Sequence, residues 1–351
     1  MKSSFRRIRF AIFVFLIIAI FASLVSCDKN SNSNIAPKNR VFYEYFDTVS
    51  VIYDYSGSEN EEFSKLCSDI EDKLSYYHKL FDIYNEYEGI INLATLNNTA
   101  GEGAKKVSPE ICELLSFAKD MYGKTDGKVN FAMGAVLSLW HEAREAAKPK
   151  EGYTPIYYVP EYSDLAAAGG HINPENVIID TENSTVEIID PQLRLDVGAV
   201  AKGFVAEKIS DFIKSKGLSG YAIDLGGNIR AVGTKPDGSG WESGVRAPGD
   251  EYANVKKITD SSRVTSGVYE RTYTVNGKNY HHIIDPETLM PENHYWSVSI
   301  HTENSAVADA LSTAFFNMTN AEIITYLHNF PNTEVTLIYP DGSVQIIGET
   351  G

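Results

Sequence analysis

Helical stripes and hairpin turns follow one another along this chain without the regular strand–helix–strand rhythm that a parallel sheet demands. Phe63, Leu66, Ile70, Leu74, Tyr77 and Phe81 recur every three or four residues, so one long helix opens near 58–61. Ser108-Pro109-Glu110 is a second helix start, with a capping hydroxyl and proline in the first turn, and that helix should stop at Gly123. Further helices are expected within 130–147 and over 200–216, 306–318 and 321–329. Between them lie short runs of β-branched and aromatic residues. Strands are expected at 41–55, 177–179, 186–189, 193–195, 221–225, 244–247, 263–266, 269–275 and 297–301, with a closing hairpin over 334–347. Asn276-Gly277 marks a tight hairpin turn, and the Tyr- and Pro-rich stretch 148–168 reads as an insertion or loop. This mixture is α+β: a single large domain over 41–351, built of helices and mostly antiparallel sheets.

The first residues have a different character. Lys2, Arg6, Arg7 and Arg9 precede an apolar run over 10–21, and Leu24-Val25-Ser26-Cys27 follows. The run is short for a spanning helix and ends at a processing-type site, so 1–26 reads as a secretory signal. It resembles a bacterial lipobox, which implies cleavage before Cys27 and lipid attachment to its sulfur. The chain would then sit on the extracytoplasmic side of the cell membrane, lipid-anchored. Residues 27–40 are the lipidated cysteine and a polar, flexible tether.

The full chain carries a formal charge of −16, and the signal holds four of its 31 basic residues and no acidic ones, leaving 27 against 47. So acidic a body argues against nucleic acid as a partner. An anionic ligand would need a local cluster of cations or a metal. Cys67 and Cys112 each fall in an amphipathic helix, as buried thiols or as one disulfide, and no Cys-x-x-Cys exists for zinc or redox chemistry.

Three segments carry candidate chemistry. Asp196-Val-Gly-Ala-Val-Ala-Lys-Gly203 places a glycine turn and Lys202 at a strand-to-helix junction, where backbone amides suit a phosphate. The same pattern fits a tight turn with a solvated lysine. Asp309 and Thr313, four apart, share one face of a helix and offer hard oxygens to a cation such as Mg²⁺, or bond to nearby backbone. Ala306, Ala308, Ala310 and Ala314 would let other backbone approach that helix. His282 precedes Ile-Ile-Asp285-Pro286 and is of the right type to take a proton from a hydroxyl, or simply to end a strand. By alternation His281 faces the other way. Asp224-Leu-Gly-Gly-Asn228 is a further glycine turn, suited to close ligand approach or to chain reversal.

Together these pieces, with Thr265-Ser-Gly267 and Phe46-Asp-Thr48, resemble the ApbE family, the bacterial FAD:protein FMN transferases. The resemblance implies Mg²⁺ held by Asp309, Thr313 and the backbone carbonyl of Ala199. It implies FAD contacts from Phe46, Tyr84, Phe131, Ala132, Met133, Asp196, Lys202 and Ile284, with His282 as catalytic base. The reaction implied is Mg-dependent transfer of FMN from FAD to a threonine hydroxyl of an exported or membrane flavoprotein, releasing AMP. The acceptor would carry a Ser/Thr-Gly-Ala-Ser/Thr motif. This chain has no Gly-Ala-Thr sequence of its own. It departs from the family's pattern at Leu289, where Asp-Pro-x-Thr-Gly is usual, and at 129–134, where Ala132 and its neighbours replace Phe-Asp-x-Thr-x-Gly. Two other readings use the same pocket: an Mg-dependent FAD pyrophosphatase, and a non-catalytic FAD-binding lipoprotein.

Overall fold

A computed structural model describes residues 37–249 and 251–349; the expected signal segment, Cys27 and the tether up to residue 36 lie outside the described residues. Eight strands form the main sheet, in the order β1 (Lys38–Phe42), β2 (Ser50–Asp54), β6 (Tyr221–Leu225), β7 (Asn228–Val232), β10 (Ser262–Gly267), β13 (Ser297–Thr302), β14 (Glu334–Ile338) and β15 (Val344–Gly348). Every neighbouring pair in it is antiparallel. A three-stranded sheet orders β3 (Lys105–Lys106), β5 (Thr185–Ile188) and β4 (Val177–Asp180), and two hairpins pair β8 (Trp241–Arg246) with β9 (Tyr252–Ile258) and β11 (Tyr273–Val275) with β12 (Lys278–Tyr280). The α+β architecture with antiparallel sheets is therefore the observed one.

Helix α1 (Asn60–Phe81) buries the expected stripe from Phe63 to Phe81. The short α2 (Leu93–Asn98) has too little periodicity to be seen in the sequence; Asn92 caps it by accepting from the Thr95 amide at 3.0 Å. Pro109 opens α3 (Pro109–Lys124), but the Ser108 hydroxyl makes no cap bond, contrary to expectation. Helix α4 (Gly134–Ala146) carries Trp140 and His141, and α5 (Tyr162–Gly169) occupies the end of the stretch expected to be loop. Helices α6 (Ala201–Ser215) and α7 (Ser305–Phe316) pack together against the main sheet, α7 over β7, β10 and β13; α8 (Asn320–Leu327) follows. Helix α7 is capped by Asn304, whose side chain accepts from the amides of Ala306 and Val307 at 2.9 and 3.1 Å.

Several boundaries differ from the sequence reading, each for a local reason. The fold begins at Lys38, three residues into what reads as tether, because β1 pairs with β2 along its whole length. The expected single strand over 41–55 is broken by a turn in which Phe46 and Asp47 are both left-handed, with φ of 55° and 51°. No strand forms at 193–195. There the Asn97 side chain takes the place of a neighbouring strand: its oxygen accepts from the Leu195 amide at 2.6 Å and its amide donates to the Leu195 carbonyl at 3.0 Å. Strand β9 was not anticipated; most of its residues are at least partly exposed, so its apolar alternation is weak. Asn276 and Gly277 are both left-handed, as the β11–β12 turn requires. Cys67 and Cys112 are free and buried.

The packing is one large core with smaller satellites. Leu66, Ile70, Ile111, Leu115, Ile209, Ile223, Val298, Leu311 and Phe315 belong to the main cluster. A second cluster joins α4 to the β11–β12 hairpin through Met133, Val136, Trp140, Tyr273, Ile284 and Leu289. Candidate site residues come from both clusters: Met133 and Ile284 belong to the second, and Ala199 packs against the first.

Candidate functional site

A cavity of about 230 Å³ opens among the turn before β2, helices α4, α6 and α7, and the segments after β10 and β12. Its wall includes Tyr84, Met133, Asp196, Ala199, Lys202, His282, Ile284, Asp309 and Thr313. Nine of the twelve candidates for catalysis, metal or nucleotide binding, drawn from segments far apart in sequence, thus share one hollow. Phe131 and Ala132 do not line it. They are core residues behind the wall, where the Phe131 carbonyl accepts from the Asp196 amide at 2.8 Å and the Ala132 amide donates to Asn130 Oδ1 at 2.9 Å. Phe46 also lies outside the wall, edge-on to His78 at 5.6 Å between ring centroids, while its neighbours Asp47 and Thr48 face the cavity.

The floor is made by α6 and α7. Asp309, 4% exposed, accepts a hydrogen bond from the Gly203 amide at 2.8 Å. Burial raises its carboxyl above the usual range, while Lys202 and the Gly203 amide act in the opposite sense. One turn along, Thr313 faces the same cavity, and Ala199, on the segment that leads into α6, also lines it. A carboxylate, a hydroxyl and a backbone carbonyl are all hard oxygen donors, a set that fits Mg²⁺ with positions left for water and phosphate. No group of three His, Cys, Asp or Glu that could hold a metal exists among the described residues.

The two histidines divide their tasks. His281 turns inward: its Nδ1 accepts from the Ile283 amide at 3.2 Å, its Nε2 meets the Glu292 carbonyl at 2.6 Å, and its ring sits edge-on to Phe316. His282 points into the cavity, and its Nδ1 is buried without a hydrogen-bond partner. Burial, then the positive charges of Arg271, Lys202 and Arg144, push its pKa down to about 3, so the ring is neutral at pH 7. Neither residue belongs to a regular strand, since β12 ends at Tyr280. The segment is fixed instead by the Asn317 side chain on the Ile284 carbonyl at 3.3 Å, and by Lys128, which pairs with the buried Asp285 at 2.9 Å.

The remaining walls are turns. Asp196 Oδ1 accepts from the Gly198 amide at 2.8 Å, which folds the glycine segment back on itself. Asp224 does the same for the Gly227 amide at 2.8 Å; burial raises its pKa to about 6. That turn both joins β6 to β7 and places Gly226 and Asn228 in the wall. Arg144, Lys128, Glu270 and Arg271 also line the cavity and are absent from the sequence-based set. Arg144 could have been found, lying three residues after His141 on the same helix. Arg271 was expected inside a strand over 269–275, but that strand begins only at Tyr273 and Arg271 sits in the irregular link before it.

The model of the ApbE family matches residues 47–337. An FAD:protein FMN transferase of Treponema pallidum (strain Nichols) is 34% identical over 270 residues, which span 72% of each chain. One from Klebsiella pneumoniae (strain 342) is 28% identical over 251 residues, spanning 68% of this chain and 74% of its own. Among solved structures, the ApbE protein of Thermotoga maritima superposes with a TM-score of 0.76 at 25% identity, covering 88% of this chain and 96% of its own. The flavin transferase ApbE of Vibrio cholerae shares the fold, with a TM-score of 0.71 at 21% identity over 90% and 98%. By sequence and by fold, the chain belongs to the ApbE family.

Proposed function

We propose that this protein transfers FMN from FAD to a threonine hydroxyl of an exported or membrane flavoprotein, releasing AMP, with Mg²⁺ as cofactor. The observation that carries the reading is the meeting of a neutral, unpartnered His282 with Asp309, Thr313, Ala199 and Lys202 around one cavity. The names of the relatives, FAD:protein FMN transferase, support it. Held by Asp309, Thr313 and the Ala199 carbonyl, Mg²⁺ would supply charge neutralisation at the pyrophosphate.

The protein's own residues account for the rest. His282 takes the proton of the acceptor threonine as its oxygen forms a bond to the flavin-side phosphorus. The bond from that phosphorus to the bridging oxygen breaks, and the electron pair leaves with AMP. Lys202, on the first turn of α6, brings positive charge toward both His282 and Asp309. Asp196, Met133 and Ile284 shape the hollow that takes the nucleotide. Lipid attachment at Cys27 would hold the enzyme at the extracytoplasmic membrane face, beside acceptors that carry a Ser/Thr-Gly-Ala-Ser/Thr motif.

The test is incubation of the protein with FAD, Mg²⁺ and an acceptor domain bearing that motif, followed by intact-mass measurement of the acceptor. A covalent FMN adduct on the motif threonine is expected. Free FMN with an unchanged acceptor would assign hydrolysis instead, and neither product would leave a binding protein.

A further inference from the structure

The cations of the cavity are not equivalent. Lys128 is already paired, with Asp285 at 2.9 Å and Glu287 at 3.2 Å. Lys202 stands next to the Asp309 site. Arg144 and Arg271 have no carboxylate partner among the described residues, although both line the cavity of a strongly acidic chain. Glu145, the residue after Arg144, pairs instead with Lys148 and Lys150. Asp196 accepts from the Gly198 amide and attracts both guanidiniums, but no salt bridge joins it to either.

Arg144 is steered by a neighbour: one of its terminal nitrogens donates to His141 Nδ1 at 2.9 Å. The His141 ring in turn lies 5.1 Å from that of Tyr84, another wall residue. Arg271 holds a left-handed backbone, φ 44°, an unfavourable conformation for a long side chain that recurs at ligand sites. Both guanidiniums line one cavity, where their like charges oppose each other and each also attracts the Asp196 carboxylate, and burial of Arg144 sharpens the conflict. An anion placed between them would relieve it, and paired guanidiniums suit the oxygens of a phosphate.

We propose that Arg144 and Arg271 form a phosphate clamp, separate from the Asp309 site, that holds the phosphate of the departing adenylate. The assignment rests on the transfer reading, and it adds a metal-independent subsite for the leaving group.

Calorimetric titration of the protein with AMP in EDTA tests it without requiring turnover. The wild type should bind AMP, and Arg271→Gln should weaken binding about tenfold or more. Arg271→Lys should recover part of the loss, and adenosine, which lacks the phosphate, should bind wild type and Arg271→Gln alike. Arg144→Gln should repeat the effect; if it fails to fold, the exposed Arg271 still decides. Undetectable AMP binding by the wild type, equal AMP affinity in Arg271→Gln, or an equal loss for adenosine would each overturn the clamp. Because no acceptor and no FAD are present, failure of FMN transfer leaves these outcomes unchanged.

Discussion

The amide of Gly203 donates to the carboxylate of Asp309 across the α6–α7 contact, at 2.8 Å. That contact needs a residue with no side chain. A Cβ at position 203 would lie 2.3 Å from the Ser305 carbonyl oxygen and 2.6 Å from the Asp309 Cβ. The bond therefore ties the helix that follows Ala199 to the helix that carries Asp309 and Thr313.

Gly203→Ala sets two effects against each other. Helix propensity alone would favour alanine by about 1 kcal/mol. Overlap with backbone, which cannot rotate away, costs about 1–3 kcal/mol. We expect the overlap to win, giving net destabilisation in urea unfolding together with reduced transfer. A variant as stable as the wild type would refute the close packing of α6 on α7.

Asp309→Asn retains an oxygen for the Gly203 amide and loses the charge. The fold should persist, with a far-ultraviolet spectrum like that of the wild type. Transfer should drop about 10²–10³-fold, the size of several kcal/mol of lost charge stabilisation. The measurement is the rate of covalent flavin appearance on the acceptor at saturating FAD and Mg²⁺.

His282 gives a pH signature whose sign is fixed. Its folded pKa, about 3, lies below the unfolded value near 6.5. The stability gained by keeping it neutral is present above 6.5 and is lost as pH falls toward 3. His282→Gln should therefore lose less stability than the wild type between pH 7 and 5, as read by chemical denaturation. His301, pushed down to about 4, contributes the same trend in both proteins and cancels in the comparison. Parallel pH dependences would contradict a buried, neutral His282. The same variant should lack transfer at every pH in that range.

Gly226 and Gly227 form a natural control pair. Both are left-handed, with φ of 62° and 89°. A Cβ on Gly226 would sit 2.0 Å from Thr48 Oγ1, in the cavity wall, whereas one on Gly227 would meet nothing within 4 Å. Gly226→Ala should displace Thr48 and weaken FAD binding; Gly227→Ala should show only backbone strain, with FAD affinity unchanged. Titration calorimetry with FAD separates them.

The readable parts of this protein are those set by local pattern. The α1 stripe, the Pro109 helix start and the Asn276-Gly277 turn depend on neighbours within a few residues, and each appears as expected. Asp309 and Thr313 were legible for the same reason, since a spacing of four fixes a shared helix face. His281 and His282 face opposite ways, as alternation suggested, although neither lies in a regular strand and their orientations are set by other contacts. What escaped depends on contacts distant in sequence. Nothing near residue 195 reveals that Asn97, 98 positions earlier, will satisfy its backbone in place of a strand. Nothing near Phe46 announces two successive left-handed residues, because neither is glycine. Arg271 enters the cavity from an irregular link that read as the start of a strand over 269–275, and no local pattern showed that the strand would begin only at Tyr273.

The central claim is that a divalent ion sits among Asp309, Thr313 and the Ala199 carbonyl, next to His282, when FAD is bound. The most direct measurement is a crystal of the protein grown with FAD and Mn²⁺ in place of Mg²⁺, examined by anomalous scattering. The account predicts one strong peak among those three oxygen donors, touching the pyrophosphate. A peak elsewhere, or a flavin nucleotide bound in full with no ion at that position, would contradict it.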